Sequence, residues 1–299
     1  METIIEVNQV SKLFKNKTAV DQISFSIQKG EVVAILGPNG AGKTTTMMMM
    51  LGLHEPTNGS VRLFGKSPKD KSVRGKIGAL LQEVSVIDAL KVHEVIQLFR
   101  SYYPDALTYE ELITFTGFTK DELQKRANKL SGGQKRRLGF ALAMAGNPDV
   151  LFFDEPTVGM DVTARKLFWS TINELKNRGK TIIFTTHYLQ EADDVAERVI
   201  LFHEGKIVGD GTPTNIKARL IKQSVSFTPL NAISLREIQI LPYVIDVYEK
   251  DKRVHVLTDN TDLVLATLFE KKLPIQHIEI ERGRLEDAFE HLVEQREVI

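Results

Sequence analysis

The sequence predicts an α/β domain built on a mainly parallel sheet, followed by a smaller α+β domain. Three observations predict it. An apolar run, Val32-Val33-Ala34-Ile35-Leu36, leads into Gly37-Pro38-Asn39-Gly40-Ala41-Gly42-Lys43-Thr44, and a helix-forming run over residues 43–53 follows. That order of strand, glycine loop and helix carries the spacing G-x-x-x-x-G-K-[ST] of a phosphate-binding loop. Two further apolar runs, at 150–153 and 181–186, end in Asp154-Glu155 and in His187. Continuous apolar runs suit parallel strands covered on both faces. Beyond about residue 223 the texture changes to a hairpin, a helix and another strand.

The glycines of the loop let the backbone fold closely around an oligophosphate, with successive N–H groups pointing inward. The first turn of the following helix adds unpaired N–H groups and the positive end of its dipole. Lys43 is placed to neutralise the outer phosphates, and the Thr44 hydroxyl to ligate Mg²⁺. Asp154 and Glu155 arrive at the C-terminal edge of a parallel strand, where open α/β sheets place ligands. The first carboxylate suits Mg²⁺, and the second suits a water attacking the γ-phosphate in line. His187 would reach the same edge, able to donate a hydrogen bond to that phosphate. A lone histidine there is otherwise a capping or core residue.

Composition removes several function classes. The chain has 299 residues, 42% of them hydrophobic, enough for a substantial core and for one large domain with a small one attached. The 39 basic and 39 acidic side chains cancel, so no overall field draws the chain to nucleic acid or to an anionic membrane. Cysteine is absent, which excludes disulfides and thiolate metal sites. Met1-Glu2-Thr3 leads straight into a strand-like segment, unlike a signal peptide. No apolar run approaches the roughly 20 residues that span a bilayer. Any pore must therefore belong to another chain.

In chain order, residues 4–7 and 23–27 are expected to pair as antiparallel strands. Phe14 lies between them and either stacks on a nucleotide base or is a core aromatic. Met47, Met48, Met49 and Met50 circle the helix after the loop, which favours core packing over a metal or redox role. Thr57-Asn58-Gly59-Ser60 reads as a turn and residues 61–64 as a short strand. Residues 77–82 read as a buried strand ending in Gln82, which either touches a metal or water or simply ends the strand. Residues 83–145 read as a helical insertion, with a capping box at Thr119-Lys120-Asp121-Glu122. Within it, Leu130-Ser131-Gly132-Gly133-Gln134 caps a helix expected over 134–146. Ser131 is its N-cap and the two glycines allow close approach of an anion. A hairpin through Glu204-Gly205 closes the first domain, and Thr212-Pro213 opens a helix to about Leu220. In the second domain, residues 243–248 and 254–257 form a hairpin, 261–272 a helix and 275–280 a third strand. Leu285, Ala288, Phe289 and Leu292 fall on one face of a closing helix. The boundaries are thus 1–222, with the helical subdomain at about 83–145, and 223–299.

Taken together, the phosphate loop, residues 130–134 and Asp154-Glu155 resemble the nucleotide-binding subunit of ATP-binding cassette transporters over residues 1–222. Residues 37–45, including Thr45, resemble the Walker A motif and 150–154 the Walker B strand. Residues 130–134 are similar to the signature sequence. The resemblance implies that Phe14 stacks on adenine, where the family more often has Tyr. It implies that Gln82 senses Mg²⁺ and the membrane partner, that Glu155 is the catalytic base and that His187 is the switch histidine. Thr157-Val158-Gly159-Met160-Asp161 is similar to the loop that crosses the dimer interface, with Met160 where Leu is commoner. The implied assembly is a head-to-tail nucleotide sandwich, a homodimer or a pair with a similar subunit. It holds two ATP, with Ser131, Gly132, Gly133 and Gln134 of one copy completing the other copy's site. Residues 83–110 would dock a separate transmembrane permease, at the cytoplasmic face of the membrane. Residues 283–289 are similar to the tail of drug and antibiotic exporters, which implies export of drugs, lipids or other small molecules. The alternatives are a soluble cassette ATPase acting on ribosomes or DNA, and a tail that dimerises or regulates the cassette. One cassette without a long heptad run or basic tail argues against the former.

Overall fold

The computed structural model describes residues 2–82, 87, 89–220, 223–231, 233–250 and 252–281. It divides into two compact units, Met1–Pro213 and Thr214–Ile299.

In the first unit, strands β1 (Thr3–Phe14), β2 (Lys17–Gln28) and β4 (Asn58–Leu63) form an antiparallel sheet in the order β2-β1-β4. The first two are longer than their apolar cores imply, because β1 runs on through Ser11 to Phe14 and turns tightly into β2. The expected turn at residues 57–60 is corrected: Asn58 already belongs to β4 and pairs with Ser11. The Asn-Gly signal marks a bulge between the Asn8 and Ser11 pairings. Gly59 has φ +80°, and a Cβ there would lie 2.2 Å from the Gln9 carbonyl oxygen.

The six-stranded sheet has the order β5-β6-β7-β3-β8-β9. Its members are β3 (Val32–Leu36), β5 (Ile77–Leu80), β6 (Val150–Asp154), β7 (Thr181–Thr186), β8 (Arg198–His203) and β9 (Lys206–Gly211). All neighbours are parallel except β8 and β9, the hairpin through Glu204-Gly205. Every residue of β3, β6 and β7 is buried, as uninterrupted apolar runs require of strands covered on both faces. Adjacent side chains point to opposite faces. Phe152 therefore joins the core beneath the antiparallel sheet, while Phe153 meets Phe140 and Phe168 on the other side.

Helix α1 (Lys43–Met50) leaves the glycine loop and lies in the core between the two sheets. Met47, Met49 and Met50 are fully buried there, among Ile5, Ile27, Leu63, Ile35 and Ile183. The helix stops three residues before the expected Leu53. Gly52 turns to φ +71°, and the N–H of Leu53 bonds back to the Met48 carbonyl. A short α2 (Lys71–Arg74) precedes β5. Next come α3 (Val92–Ser101), α4 (Tyr109–Thr116), α5 (Lys120–Gln124) and α6 (Gly132–Met144). The expected capping box at Thr119 and Glu122 is formed. Helix α6 starts two residues before the expected 134, because both glycines enter its first turn behind Ser131. Helices α7 (Val162–Asn177) and α8 (Leu189–Val195) follow β6 and β7.

Helix α9 (Pro213–Leu220) begins with Pro at its first position, and the division between units falls just after that proline. The expected boundary at 222/223 lies at the end of this helix. The second unit contains β10 (Gln223–Pro229), α10 (Leu235–Gln239), β11 (Val244–Lys250), β12 (Arg253–Thr258), α11 (Thr261–Glu270) and β13 (Ile275–Glu281). Its sheet, β11-β12-β10-β13, has four antiparallel strands rather than the three expected. Val225, Phe227, Val254 and Val256 pack there with Ile238, Leu241, Val264 and Leu268. The expected closing helix through Leu285 and Leu292 lies outside the described residues.

Replacing Gly59 with Ala forces a β-carbon against backbone that cannot retreat. Gly59→Ala is expected to cost at least about 1–3 kcal/mol, read as a lower denaturation midpoint of the first unit.

Candidate active site

Strands β3, β6 and β7 are adjacent and parallel, so their C-terminal ends deliver three loops to one edge. Loop 37–42 follows β3. A Cβ on Gly37 (φ +151°) would lie 2.3 Å from the Phe202 carbonyl oxygen, and one on Gly42 (φ +104°) 2.6 Å from that of Ala19. Only glycine fits either place. Pro38, Asn39 and Gly40 are exposed, Ala41 and Gly42 are buried, and Thr45 lies half-buried in the first turn of α1. Lys43 is 6% exposed, and its Nζ donates to the carbonyls of Gly37 (2.7 Å) and Pro38 (3.0 Å).

Asp154 is 1% exposed at the end of β6. A buried carboxylate needs donors. Thr44 Oγ1 donates to it at 3.1 Å, and Thr185 Oγ1 of β7 donates to its Oδ1. The Thr185 hydroxyl also accepts the N–H of Glu155 at 3.0 Å. Glu155 sits at φ +48°, a conformation that a non-glycine residue holds at a cost of about 1–3 kcal/mol. That backbone turn brings its Oε1 to 3.3 Å from Nδ1 of His187, which lies just past β7.

Two cations face the two carboxylates. Burial pushes Lys43 below the ordinary lysine pKa, and the nearby Glu155 and Asp154 oppose that shift. Arg136 of α6 behaves likewise: burial lowers its pKa, and the same two carboxylates raise it. Its guanidinium donates to the Gln82 carbonyl at 2.9 Å and lies 3.4 Å from the Asp154 carbonyl. The Gln82 side chain itself is exposed.

The donor set fits a hard cation. The Thr44 hydroxyl and the Asp154 carboxylate present oxygen atoms side by side, and among the described residues no three His, Cys, Asp or Glu side chains are placed to hold a metal ion by themselves. Mg²⁺ typically takes one or two carboxylates and completes its shell with water and substrate phosphates.

Among the described residues, no hydrogen bond joins the remaining expected residues to Lys43, Thr44, Asp154 or Glu155. Phe14 ends β1 and is 42% exposed, so it is no core aromatic. Lys12 Nζ lies 5.0 Å over its ring, and His54 meets it edge-on at 5.6 Å. Ser131 caps α6: its Oγ accepts the N–H of Gln134, and the Gln134 side chain accepts the N–H of Ser131. Gln134 Nε2 donates to Glu122 at 2.6 Å. Gly132 borders a cavity of about 190 Å³ with Gln82, Lys135, Arg136, Val158 and Gly159. No hydrogen bond joins 131–134 to 37–44 among the described residues.

Comparison with known proteins agrees with this geometry. A family model described as ABC transporter matches residues 20–158. The chain is 32% identical over 278 residues to the Nod factor export ATP-binding protein I of Burkholderia pseudomallei (strain 1710b), covering 88% of this chain and 89% of that protein. The chain belongs to the ABC transporter family. It is 37% identical over 230 residues to the protein of the same name from Paraburkholderia xenovorans (strain LB400), covering 73% of each. It is 35% identical over 224 residues to the probable multidrug ABC transporter ATP-binding protein YbhF of Escherichia coli (strain K12), covering 73% of this chain and 39% of that protein. Among solved structures, an ATP-binding subunit of an ABC transporter superposes with TM-score 0.67 at 26% identity, over 73% of this chain and 93% of that one. A dimeric cassette in a post-hydrolysis state, bound to ADP and Pi, gives 0.64 at 26% identity, over 70% and 98%. This member of the ABC transporter family is an ATP-binding subunit and an ATPase.

Sequence reasoning missed Arg136 and Thr185. Arg136 lies in a Lys-Arg-Arg run that reads as solvated surface. A hydroxyl inside the apolar run of β7 was the available sign of Thr185. Thr185→Val removes one donor to Asp154 and one of two acceptors of the Glu155 N–H, the Thr185 carbonyl at 3.1 Å remaining. It is expected to cost about 1–3 kcal/mol in thermal denaturation, with Thr185→Ser restoring most of it.

Proposed function

We propose that two copies of this chain, or one copy and a similar cassette, close over two ATP molecules, and that hydrolysis drives a separate transmembrane permease in export. The observation that carries the reading is a split. Lys43, Thr44, Asp154, Glu155 and His187 gather at one sheet edge, while among the described residues no hydrogen bond joins residues 131–134 at the start of α6 to loop 37–44 of the same chain. An anion-binding helix start separated from the phosphate loop suits a site completed in trans.

Lys43 and the backbone N–H groups of residues 39–45 hold the phosphates, and Phe14 stacks on adenine. Thr44, Asp154 and Gln82 would hold Mg²⁺, and the ion would supply neutralisation of the phosphate oxygens. Glu155 takes a proton from the water that attacks the γ-phosphorus as the bond to ADP breaks. His187 holds the γ-phosphate and orients Glu155. Ser131, the amides of Gly132 and Gly133, and Gln134 cap the γ-phosphate bound to the other copy. ATP then joins the dimer, and hydrolysis releases it.

Export is supported by relatives named for Nod factor export and for multidrug transport. No helix among the described residues is long and apolar enough to cross a membrane. We therefore place the chain peripherally at the cytoplasmic face, docked to its permease through residues 83–110. The cargo is a drug, lipid or other small molecule.

Glu155→Gln separates binding from chemistry. The variant is expected to bind MgATP as the wild type does, to lose turnover by at least about 100-fold, and to elute as a dimer at saturating MgATP. Turnover equal to the wild type, or a monomer under those conditions, would reject the proposal.

A further inference from the structure

We infer that Glu191 is a positioning residue for ATP hydrolysis: its buried carboxylate ties loop 157–161 to the loop carrying His187, and so sets the contact between His187 and Glu155. The inference rests on the roles proposed above for those two residues.

Glu191 lies in α8 and is only 7% exposed. Thr157 Oγ1 donates to its Oε1 at 2.8 Å, and Thr186 Oγ1 to its Oε2 at 3.0 Å. Arg165 Nε, in the first turn of α7, lies 3.5 Å from Oε1, and the Arg165 guanidinium sits 5.0 Å over the ring of Tyr188. One carboxylate thus gathers three elements that otherwise diverge after β6 and β7.

The direction of each bond follows from the chemistry. An ionised carboxylate only accepts, so both threonine hydroxyls must donate to it. That leaves the Thr186 oxygen free to accept the N–H of Tyr188, at 3.0 Å. The chain therefore has one arrangement, Tyr188 N–H to Thr186 to Glu191, with Thr157 entering from the other side. Thr157 is two residues past Glu155, and Thr186 is one before His187. Thr185 meets Asp154 and the Glu155 N–H, and Thr186 meets Glu191, because consecutive side chains of a strand point to opposite faces. The 3.3 Å contact of Glu155 with His187 is framed from both sides.

Loop 157–161 ends at Asp161, whose side chain caps α7 by accepting the Ala164 N–H at 2.8 Å. A displacement of that loop pulls on Thr157, and through Glu191 on Thr186 and His187. If the loop faces a second cassette, as proposed, Glu191 lets the state of the interface reach the γ-phosphate side of the same chain.

The test uses the full chain and measures kcat, KM for MgATP and the melting temperature. Thr157→Val and Glu191→Gln are each expected to lower kcat about tenfold while KM stays within about twofold, because misplacement costs rate more than binding. Thr157→Ser should restore kcat, and the Thr157→Val/Glu191→Gln pair should be no slower than either single variant, as members of one network behave. Wild-type kcat in both single variants, or losses that multiply in the pair, overturns the inference. Equal losses in kcat and ATP affinity also overturn it, since they mark a structural role alone. Glu155→Gln serves as the control. If it is inactive while Thr157→Val and Glu191→Gln turn over normally, only this inference fails; if it is fully active, the site proposal falls and this inference with it.

Discussion

A carboxylate taken out of water must find donors or a cation, and Asp154 is the carboxylate around which the first unit is arranged. Its position at the end of β6 requires β3 on one side of β7 and β6 on the other, so that Thr44 and Thr185 both reach it. Thr185 then carries the constraint onward: its hydroxyl and its carbonyl both accept the N–H of Glu155, the residue in the left-handed turn. Removing the buried strand order would leave these groups unpaired. The apolar runs and the polar edge are thus one construction, in which burial supplies the low dielectric that makes each polar contact count.

The same burial explains the balance of charge. Lys43 comes from the helix after β3 and Arg136 from α6, and both face Asp154 and Glu155. Desolvation works against each cation and the carboxylates work for it. An arrangement of two positive and two negative groups is self-consistent without a net field, in keeping with the neutral sequence as a whole. Arg136 also spans two strand ends through the Gln82 and Asp154 carbonyls, so the helix that begins at Ser131 is tied to the sheet edge through one side chain.

Much of this was legible from residue patterns, and the exceptions have physical causes. Residues 32–36, 150–154 and 181–186 read correctly because a strand covered on both faces is apolar through its middle, its polar residues confined to the ends. The capping box at Thr119 and the N-cap at Ser131 read correctly because they are local. Residues 57–60 misled because Asn-Gly reports positive φ, which a bulge satisfies as well as a turn. Strand β10 escaped notice because Ser224 and Ser226 are buried alongside Val225 and Phe227, so polarity did not mark a face. Arg136 and Glu191 escaped for a related reason. A charged residue becomes informative only when tertiary structure buries it, and nothing in its neighbours along the chain announces that.

The methionines of α1 have a further consequence. They fill the seam between the antiparallel layer, which carries Phe14, and the parallel layer, which carries Asp154. Branched side chains in that seam would interlock in few rotamers; unbranched thioethers keep three torsions that can readjust without opening a void. The seam is therefore filled by side chains that take their shape from the two layers rather than impose one on them.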